Sequence, residues 1–314
     1  MVPVTCTVST EDGTPVPGLR REDFQVFEGG IERPISYFDA STQPASVALV
    51  IDASPSVLPD AQDMKRAADA LIDALAPLDQ AAVVDFSAHT YLQLPFSDVR
   101  EQIRRAVARV DVRELLGDTG GSNIYEAVYL AAKELFPGRT GRKAIVLLTD
   151  GQDSGLGLTL DFASSVPQTG RLEDRLTFDD VARLLAAQDI QIFAVSTENR
   201  PKVMTPEWLA AHQDATLVTP AARTSGIPPY TLYLAELVRR AGGQLYFLRE
   251  AETMADTFHK IAQRIRAEYT LGFAPSPSYG PAIHTGWHTL RVEVPGEPGA
   301  RVAHRAAYYV PATQ

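Results

Sequence analysis

The sequence predicts an α/β protein: a doubly wound, mainly parallel sheet covered by helices on both faces, with a small β-sandwich formed by the two ends of the chain. Three observations predict it. Continuous apolar runs such as Val47–Ile51 and Ala144–Leu148 alternate with segments of helical periodicity, the pattern of strands buried on both faces and joined by crossover helices. The two ends read instead as short strands separated by Gly, Pro and Asp turn signals. Neither end holds enough strands to be stable alone. Residues 1–43 and 270–314 are therefore expected to pair into one sandwich, with an α/β domain of residues 44–269 inserted between them.

Taken in order, Val2, Val4, Cys6 and Val8 alternate with Pro3, Thr5, Thr7 and Ser9, a period-2 strand. Asp12-Gly13 and Gly29-Gly30 mark turns, and Phe24–Phe27 and Ile35–Phe38 are two further strands. The texture changes at Pro44. Val47–Ile51 is a buried strand, and Asp60–Leu75 has helical spacing through Met64, Ala68, Leu71, Ile72 and Leu75. Ala81–Phe86 is the next strand. Asp98–Val110 is a helix with Val99, Ile103, Ala106, Val107 and Val110 on one face, and Ile124–Phe136 is another. Ala144–Thr149 is a strand, Asp179–Ala187 a helix, Ile190–Val195 a strand, Leu232–Ala241 a helix and Gln244–Leu248 a strand. Met254–Tyr269 is an amphipathic helix whose Met254, Phe258, Ile261 and Ile265 are expected to pack on the sheet. The chain then returns to β at Tyr269–Phe273, His288–Val294 and Ala303–Val310, with Trp287 expected in the sandwich core or at its edge. Two long loops, Ser154–Thr177 and the Pro-rich Thr197–Thr231 with Trp208, are of a length that is functional or mobile in compact domains.

Composition excludes several classes. Of 314 residues, 45% are apolar and 22% charged, an ordinary globular balance. With 29 basic and 39 acidic residues the net charge is −10, which argues against a nucleic-acid surface, since phosphate binding needs basic patches. No apolar run is long enough to cross a bilayer. The single cysteine, Cys6, rules out an intramolecular disulfide and reads as a small apolar filler in a strand.

Three segments carry chemistry. Asp52-Ala-Ser54-Pro-Ser56 follows the first buried strand, at the carboxyl end of a parallel sheet, where open α/β domains bind ligands. One carboxylate and two hydroxyls at alternating positions suit Mg²⁺ or Mn²⁺ and are poor ligands for zinc or copper. Thr149-Asp150-Gly151 ends a second strand of the same kind, and Gly120-Gly-Ser122-Asn123 precedes a helix and offers another hydroxyl. Each segment alone is commonly a capping turn or a simple turn. Their order, in one α/β domain, gives them weight.

That order resembles the von Willebrand factor type A domain. The resemblance is carried by Val47-Ala-Leu-Val-Ile-Asp52-Ala-Ser54-Pro-Ser56, Gly120-Gly-Ser-Asn-Ile-Tyr-Glu-Ala127 and Ile145-Val-Leu-Leu-Thr-Asp150-Gly151, and spans about residues 45–268. It implies a Rossmann-like fold and a metal-ion-dependent adhesion site formed by Asp52, Ser54, Ser56, Ser122 and Asp150. Ser122 stands where the family usually has threonine, keeping the hydroxyl and losing a methyl. Mg²⁺ is the expected ion, with Mn²⁺ or Ca²⁺ as alternatives. The flank Gly18-Leu-Arg-Arg-Glu-Asp-Phe-Gln-Val-Phe-Glu28 and the tail from Tyr269 are similar to a bacterial group of related proteins frequent in acidobacteria. Members of that group mostly look exported, which implies a periplasmic or extracellular chain whose leader is absent from this sequence, with a cytoplasmic chain as the alternative.

The function so implied is adhesive rather than catalytic: the site's ion captures a carboxylate from a partner protein, with Pro55, Val57, Asn123, Gln152 and Asp153 as the rim. Two other readings compete with it. One is a structural scaffold whose metal site is inactive. The other is metal-assisted phosphoryl transfer, which needs a positioned base or a cation for the transition-state charge. No Gly-x-x-x-x-Gly-Lys loop or Gly-x-Ser-x-Gly elbow is present, His89 is the histidine nearest in sequence to a motif, and the other five histidines lack metal-ligand spacing.

Overall fold

The alternating residues at the start of the chain form β1 (Val2–Ser9), followed by β2 (Gln25–Glu28), β3 (Ile31–Arg33) and β4 (Ile35–Asp39). The α/β region follows with β5 (Ala45–Asp52), α1 (Ala61–Ala74), β6 (Gln80–Phe86), β7 (Thr90–Ser97), α2 (Arg100–Ala108) and α3 (Ile124–Leu135). It continues through β8 (Arg142–Thr149), α4 (Phe178–Gln188), β9 (Gln191–Ser196), α5 (Pro229–Ala241), β10 (Gln244–Phe247) and α6 (Met254–Arg266). The last strands are β11 (Glu268–Phe273), β12 (Gly286–Glu293), β13 (Arg301–His304) and β14 (Ala307–Val310). This is a computed structural model, and it describes residues 1–10, 14–40, 43–111, 121–154, 176–205, 208, 212, 217–218, 226–248, 254–275 and 286–310. Most of the two long loops therefore lies outside the described residues.

The central sheet has the order β10-β9-β8-β5-β6-β7. Every pairing in it is parallel except that of the edge strand β7. β5 sits in the middle and every residue of it is buried. Its period-2 pleat sends Val47, Leu49 and Ile51 to one face, against Met64, Leu71 and Ile72 of α1 and Phe258, Ile261 and Ile265 of α6. Ala48 and Val50 point to the other face, against Ile124 and Val128 of α3, Leu185 of α4 and Leu237 of α5. A strand that must satisfy two helical layers has no room for polar positions, which is why it reads as an unbroken apolar run.

The sandwich has two four-stranded sheets, β13-β1-β11-β4 and β14-β12-β2-β3. Each combines strands from both ends of the chain, and between them pack Val4, Val8, Val26, Leu271, Phe273, Leu290 and Val292. Cys6 is fully buried there, and burial pushes its thiol well above the usual range, so it is inert packing.

The structure departs from the sequence reading at several places, the short strand β3 after the Gly29-Gly30 turn among them. β7 is an unforeseen edge strand; it contains Pro95, which edge positions tolerate because no ladder donor is needed there. Val99 is not on the buried face of α2 but half-exposed at its start. α6 stops at Arg266 instead of running to Tyr269, because the Arg142 guanidinium takes the carbonyls of Arg266 and Glu268 and so ends the helix. The predicted strand Ala303–Val310 is two strands in opposite sheets. The break falls at Arg305, whose buried guanidinium reaches the carbonyls of Ala186 and Pro3.

That break also ties the sandwich to the α/β region. Trp287 stacks edge-on against Tyr309 and donates its indole N–H to Asp179 of α4 at 3.2 Å. Trp208 is partly buried against the small cluster of Met204, Leu217 and Ile227 and stacks on His212. Among the described residues, no helix is long and apolar enough to cross a membrane.

Candidate metal centre

β5 ends at Asp52, and Pro55 opens a 3-10 turn, Pro55–Asp60, that leads into α1. Proline suits this first turn position because its ring fixes φ and its missing N–H has no partner to lose. The turn curls back so that the Ser54 and Ser56 hydroxyls lie 3.0 Å apart. Asp52 is buried and accepts three hydrogen bonds. Its Oδ1 takes the Ser54 N–H at 2.9 Å, and its Oδ2 takes the Ser122 hydroxyl at 3.1 Å and the Thr149 hydroxyl at 2.6 Å.

Ser122 is held by a two-way clamp. Its N–H donates to Ser154 Oγ at 2.7 Å, and its carbonyl accepts the Ser154 N–H at 2.8 Å. The next residue, Asn123, is fixed to the loop after β6, its N–H on the Ser87 carbonyl and its side-chain amide on the Ala88 carbonyl. The loop after β5, the end of β8 and the segment before α3 therefore meet at Asp52, with the loop after β6 held to Asn123 beside them.

Asp150 lies at the same sheet edge, buried, and its negative charge adds to the cost of ionising Asp52. Both of its oxygens are turned to its own loop, Oδ1 accepting the Gln152 N–H at 2.8 Å and Oδ2 the Gln152 amide at 3.4 Å. Thus Asp52, Ser54, Ser56 and Ser122 form one continuous hydrogen-bonded set, with Asp150 beside it. Gly151 makes the turn, with φ +88°, and a Cβ there would sit 3.4 Å from the Tyr230 ring. Gly151→Ala is expected to cost about 1–2 kcal/mol from left-handed strain alone, measurable as a lowered denaturant midpoint.

Burial pushes the Asp52 carboxyl up to about 6; the Ser54 and Thr149 bonds oppose this and Asp150 reinforces it. Among the described residues Asp52 has hydroxyl and amide partners but no ion pair. A buried carboxylate beside a second one, surrounded by hydroxyls, is a donor set of hard oxygens that fits a divalent cation such as Mg²⁺. Among the described residues no group of three His, Cys, Asp or Glu could hold a metal, so an ion here must rely on hydroxyl ligands.

Two rim residues are placed differently from expectation. Val57 is fully buried in the core beneath the turn, because the 3-10 turn rotates it inward. Asp153 is also buried, and accepts the Tyr125 N–H at the start of α3 at 3.4 Å; its carboxylate helps satisfy the free N–H groups of that helix end. Pro55 and Gln152 are exposed, and Asn123 is half-buried. Sequence reasoning overlooked Thr149 and Ser154. Thr149 was legible in principle: a hydroxyl ending an otherwise apolar, fully buried strand must find a partner. Ser154 gave no signal, because its role depends on a contact 32 residues away in sequence.

An open, doubly wound sheet with oxygen donors gathered at the carboxyl ends of its central strands defines the class of α/β domains that bind ligands at a sheet crevice. Residues 47–152 match the family model of the von Willebrand factor type A domain. The match covers about a third of the chain. No curated protein matches the sequence significantly. Among solved structures the chain is similar to an aerotolerance-related membrane protein from Bacteroides fragilis, at 16% identity, over 70% of this chain and 98% of that one, with a TM-score of 0.46. It is similar to BatB, a conserved hypothetical protein from Bacteroides thetaiotaomicron, at 16% identity, over 70% of this chain and 97% of that one, with a TM-score of 0.47. It is also similar to proximal thread matrix protein 1 from the mussel byssus, a structure with a zinc-occupied MIDAS motif, at 17% identity, over 76% of this chain and 49% of that one, with a TM-score of 0.48.

Proposed function

We propose that this chain is a non-enzymatic protein-binding module whose Asp52, Ser54, Ser56, Ser122 and Asp150 hold a divalent cation, Mg²⁺ foremost, and that the ion captures an acidic side chain of a partner protein. The observation that carries the reading is the Asp52 carboxylate. It is buried, it accepts three hydrogen bonds, and burial and Asp150 hold its carboxyl at about 6. Such a group is costly in the free protein and is relieved by a cation.

Each residue has a part in this. Asp52 and Asp150 supply the negative charge, and Ser54, Ser56 and Ser122 supply neutral oxygens that fix position without adding charge. Thr149 orients Asp52, and Ser154 holds the Ser122 loop in register. When bound, the ion supplies a hard positive centre that still attracts a carboxylate, since two carboxylates and hydroxyls leave coordination positions for water or ligand. Exposed Pro55 and Gln152 and half-buried Asn123 would then face the partner. We further propose that residues 1–43 and 270–314 act as one sandwich unit flanking the 44–269 domain, and that the protein is exported.

The test uses a probe peptide bearing one glutamate, measured by fluorescence anisotropy with Mg²⁺ and after chelation. Binding that needs both the ion and the glutamate supports the reading; equal binding after chelation, or with glutamine in its place, overturns it. Ser122→Ala is expected to weaken Mg²⁺ binding about tenfold, roughly 1.4 kcal/mol, with the fold intact by circular dichroism.

A further inference from the structure

The amino end of the central sheet, opposite the Asp52 site, holds a second feature. β8 opens with Arg142 and Lys143 and β9 with Gln191, and the β13-β1-β11-β4 sheet of the sandwich lies close by. Between them is a cavity of about 260 Å³ whose mouth is rimmed by exposed Tyr37, Gln43 and Thr140. Three cationic side chains, Arg139, Arg142 and Lys143, and three anionic ones, Asp39, Asp189 and Glu268, line it.

Several of these are already engaged. Arg139 bonds Ser46 and Gln80, Arg142 bonds the Glu268 carbonyl at 2.9 Å and pairs with Glu268 Oε2 at 3.5 Å, and Asp189 accepts the Thr5 hydroxyl at 2.5 Å. Other polar atoms of the lining are not. Among the described residues, both amide atoms of Gln191 and the Oε1 of Glu268 are buried without a hydrogen-bond partner. Lys143 is half-buried and has no hydrogen bond or ion pair among the described residues. Gln191 is 3% exposed and Glu268 5%, so bulk water does not satisfy them, and native proteins rarely leave such groups unmet.

The leftover groups have a definite chemistry. Glu268 Oε1 and Gln191 Oε1 call for a donor, while Gln191 Nε2 and Lys143 Nζ call for an acceptor. The formal charges of the lining balance, so an ion of either sign gains little. We propose that this cavity binds a small zwitterion of the α-amino-acid class, with its ammonium on Glu268 and Gln191 Oε1 and its carboxylate on Gln191 Nε2 and Lys143. Burial pushes the Glu268 carboxyl well up, against the Arg142 charge and with Asp189 reinforcing it; an ammonium at Oε1 holds it ionised. The volume accommodates a small amino acid or, by liquid density, about nine waters.

The experiment is calorimetric titration of L-alanine and L-serine into the full chain, with methylammonium and acetate as single-charge probes. The expected result is one saturable site for the amino acids, with either single-charge probe weaker by about tenfold or more. Lys143→Met and, separately, Gln191→Leu should each weaken amino-acid binding by about the same factor, whereas Asp52→Asn should leave it unchanged. No saturable heat at millimolar ligand in protein shown to be folded means that water alone fills the cavity, and overturns the proposal. Binding that survives both Lys143→Met and Gln191→Leu places the ligand elsewhere, and overturns it equally.

Discussion

Asp52→Asn is expected to stabilise the metal-free protein at pH 7.5 and to abolish its response to Mg²⁺. The Asp52 carboxyl titrates near 3.8 in the unfolded chain and is raised to about 6 when folded, mainly by burial. A raised carboxyl favours the protonated form in the native state. The penalty for the ionised form is therefore absent below the unfolded value, grows as pH rises from about 4, and is complete above about 6. At about 1.4 kcal/mol per unit it amounts to about 3 kcal/mol. Asparagine keeps the shape and removes the charge, and the Thr149 and Ser122 hydroxyls that donate to Oδ2 can turn to accept from an amide. The gain is thus expected to approach, and not exceed, about 3 kcal/mol. It should vanish near pH 4, where wild-type Asp52 is protonated when folded. Chemical denaturation of both proteins at the two pH values, with chelator and with Mg²⁺, checks each part. Wild type should gain about 2.7 kcal/mol at an ion concentration a hundred times its dissociation constant, and the variant nothing.

Glu236→Ala is expected to destabilise the fold by about 3–5 kcal/mol, the cost of breaking a buried ion pair from one side. Glu236 is fully buried in α5 and all its acceptor capacity is used. Oε1 takes Arg239 at 2.9 Å and Arg240 at 2.7 Å, and Oε2 takes Arg239 at 3.0 Å and the Leu217 N–H at 3.1 Å. Arg240 continues the network to Asp179 at 2.7 Å and lies over the Trp287 ring, and Trp287 itself bonds Asp179. Removing Glu236 takes its carboxylate from two largely buried guanidinium groups, leaving Arg240 on Asp179, and loosens the contact between α5, α4 and β12. Burial alone would raise the Glu236 carboxyl, but the Arg239 bond and charge, then Arg240 and the Leu217 N–H, hold it below the usual range. Its sign is thus opposite to that of Asp52: the stabilisation is present above the unfolded value and is lost as pH falls through the folded one. Urea midpoints at pH 7 and pH 4 should differ more in wild type than in Glu236→Gln.

The contrast between these two carboxylates shows where the sequence is informative. Asp52 was legible because it follows an unbroken apolar strand and precedes Ser54 and Ser56 at fixed spacing, so position and chemistry could be read locally. Glu236 was not, since a glutamate at the mid-point of an amphipathic helix looks like any solvated residue; only the Arg239 and Arg240 geometry reveals it. The same division holds for the fold. β5, β8 and β9 announce themselves by continuous apolarity and α1 and α3 by their spacing, both local signals. The end of α6 and the split at Arg305 are set by guanidinium groups that reach carbonyls far away in the chain, and no local pattern encodes them. Within the site, the burial of Val57 and Asp153 depends on how one turn rotates and on which helix end lies nearby, which also escapes a linear reading.

The most direct test of the central claim is calorimetric titration of Mg²⁺ and Mn²⁺ into chelator-treated protein at pH 7.5, with Zn²⁺ as a third ion and Asp52→Ala as the control. The account predicts one saturable site for the hard ions that disappears in Asp52→Ala. Absence of heat in the folded wild-type protein, with no rise in melting temperature at millimolar ion, would contradict it and leave a metal-independent scaffold.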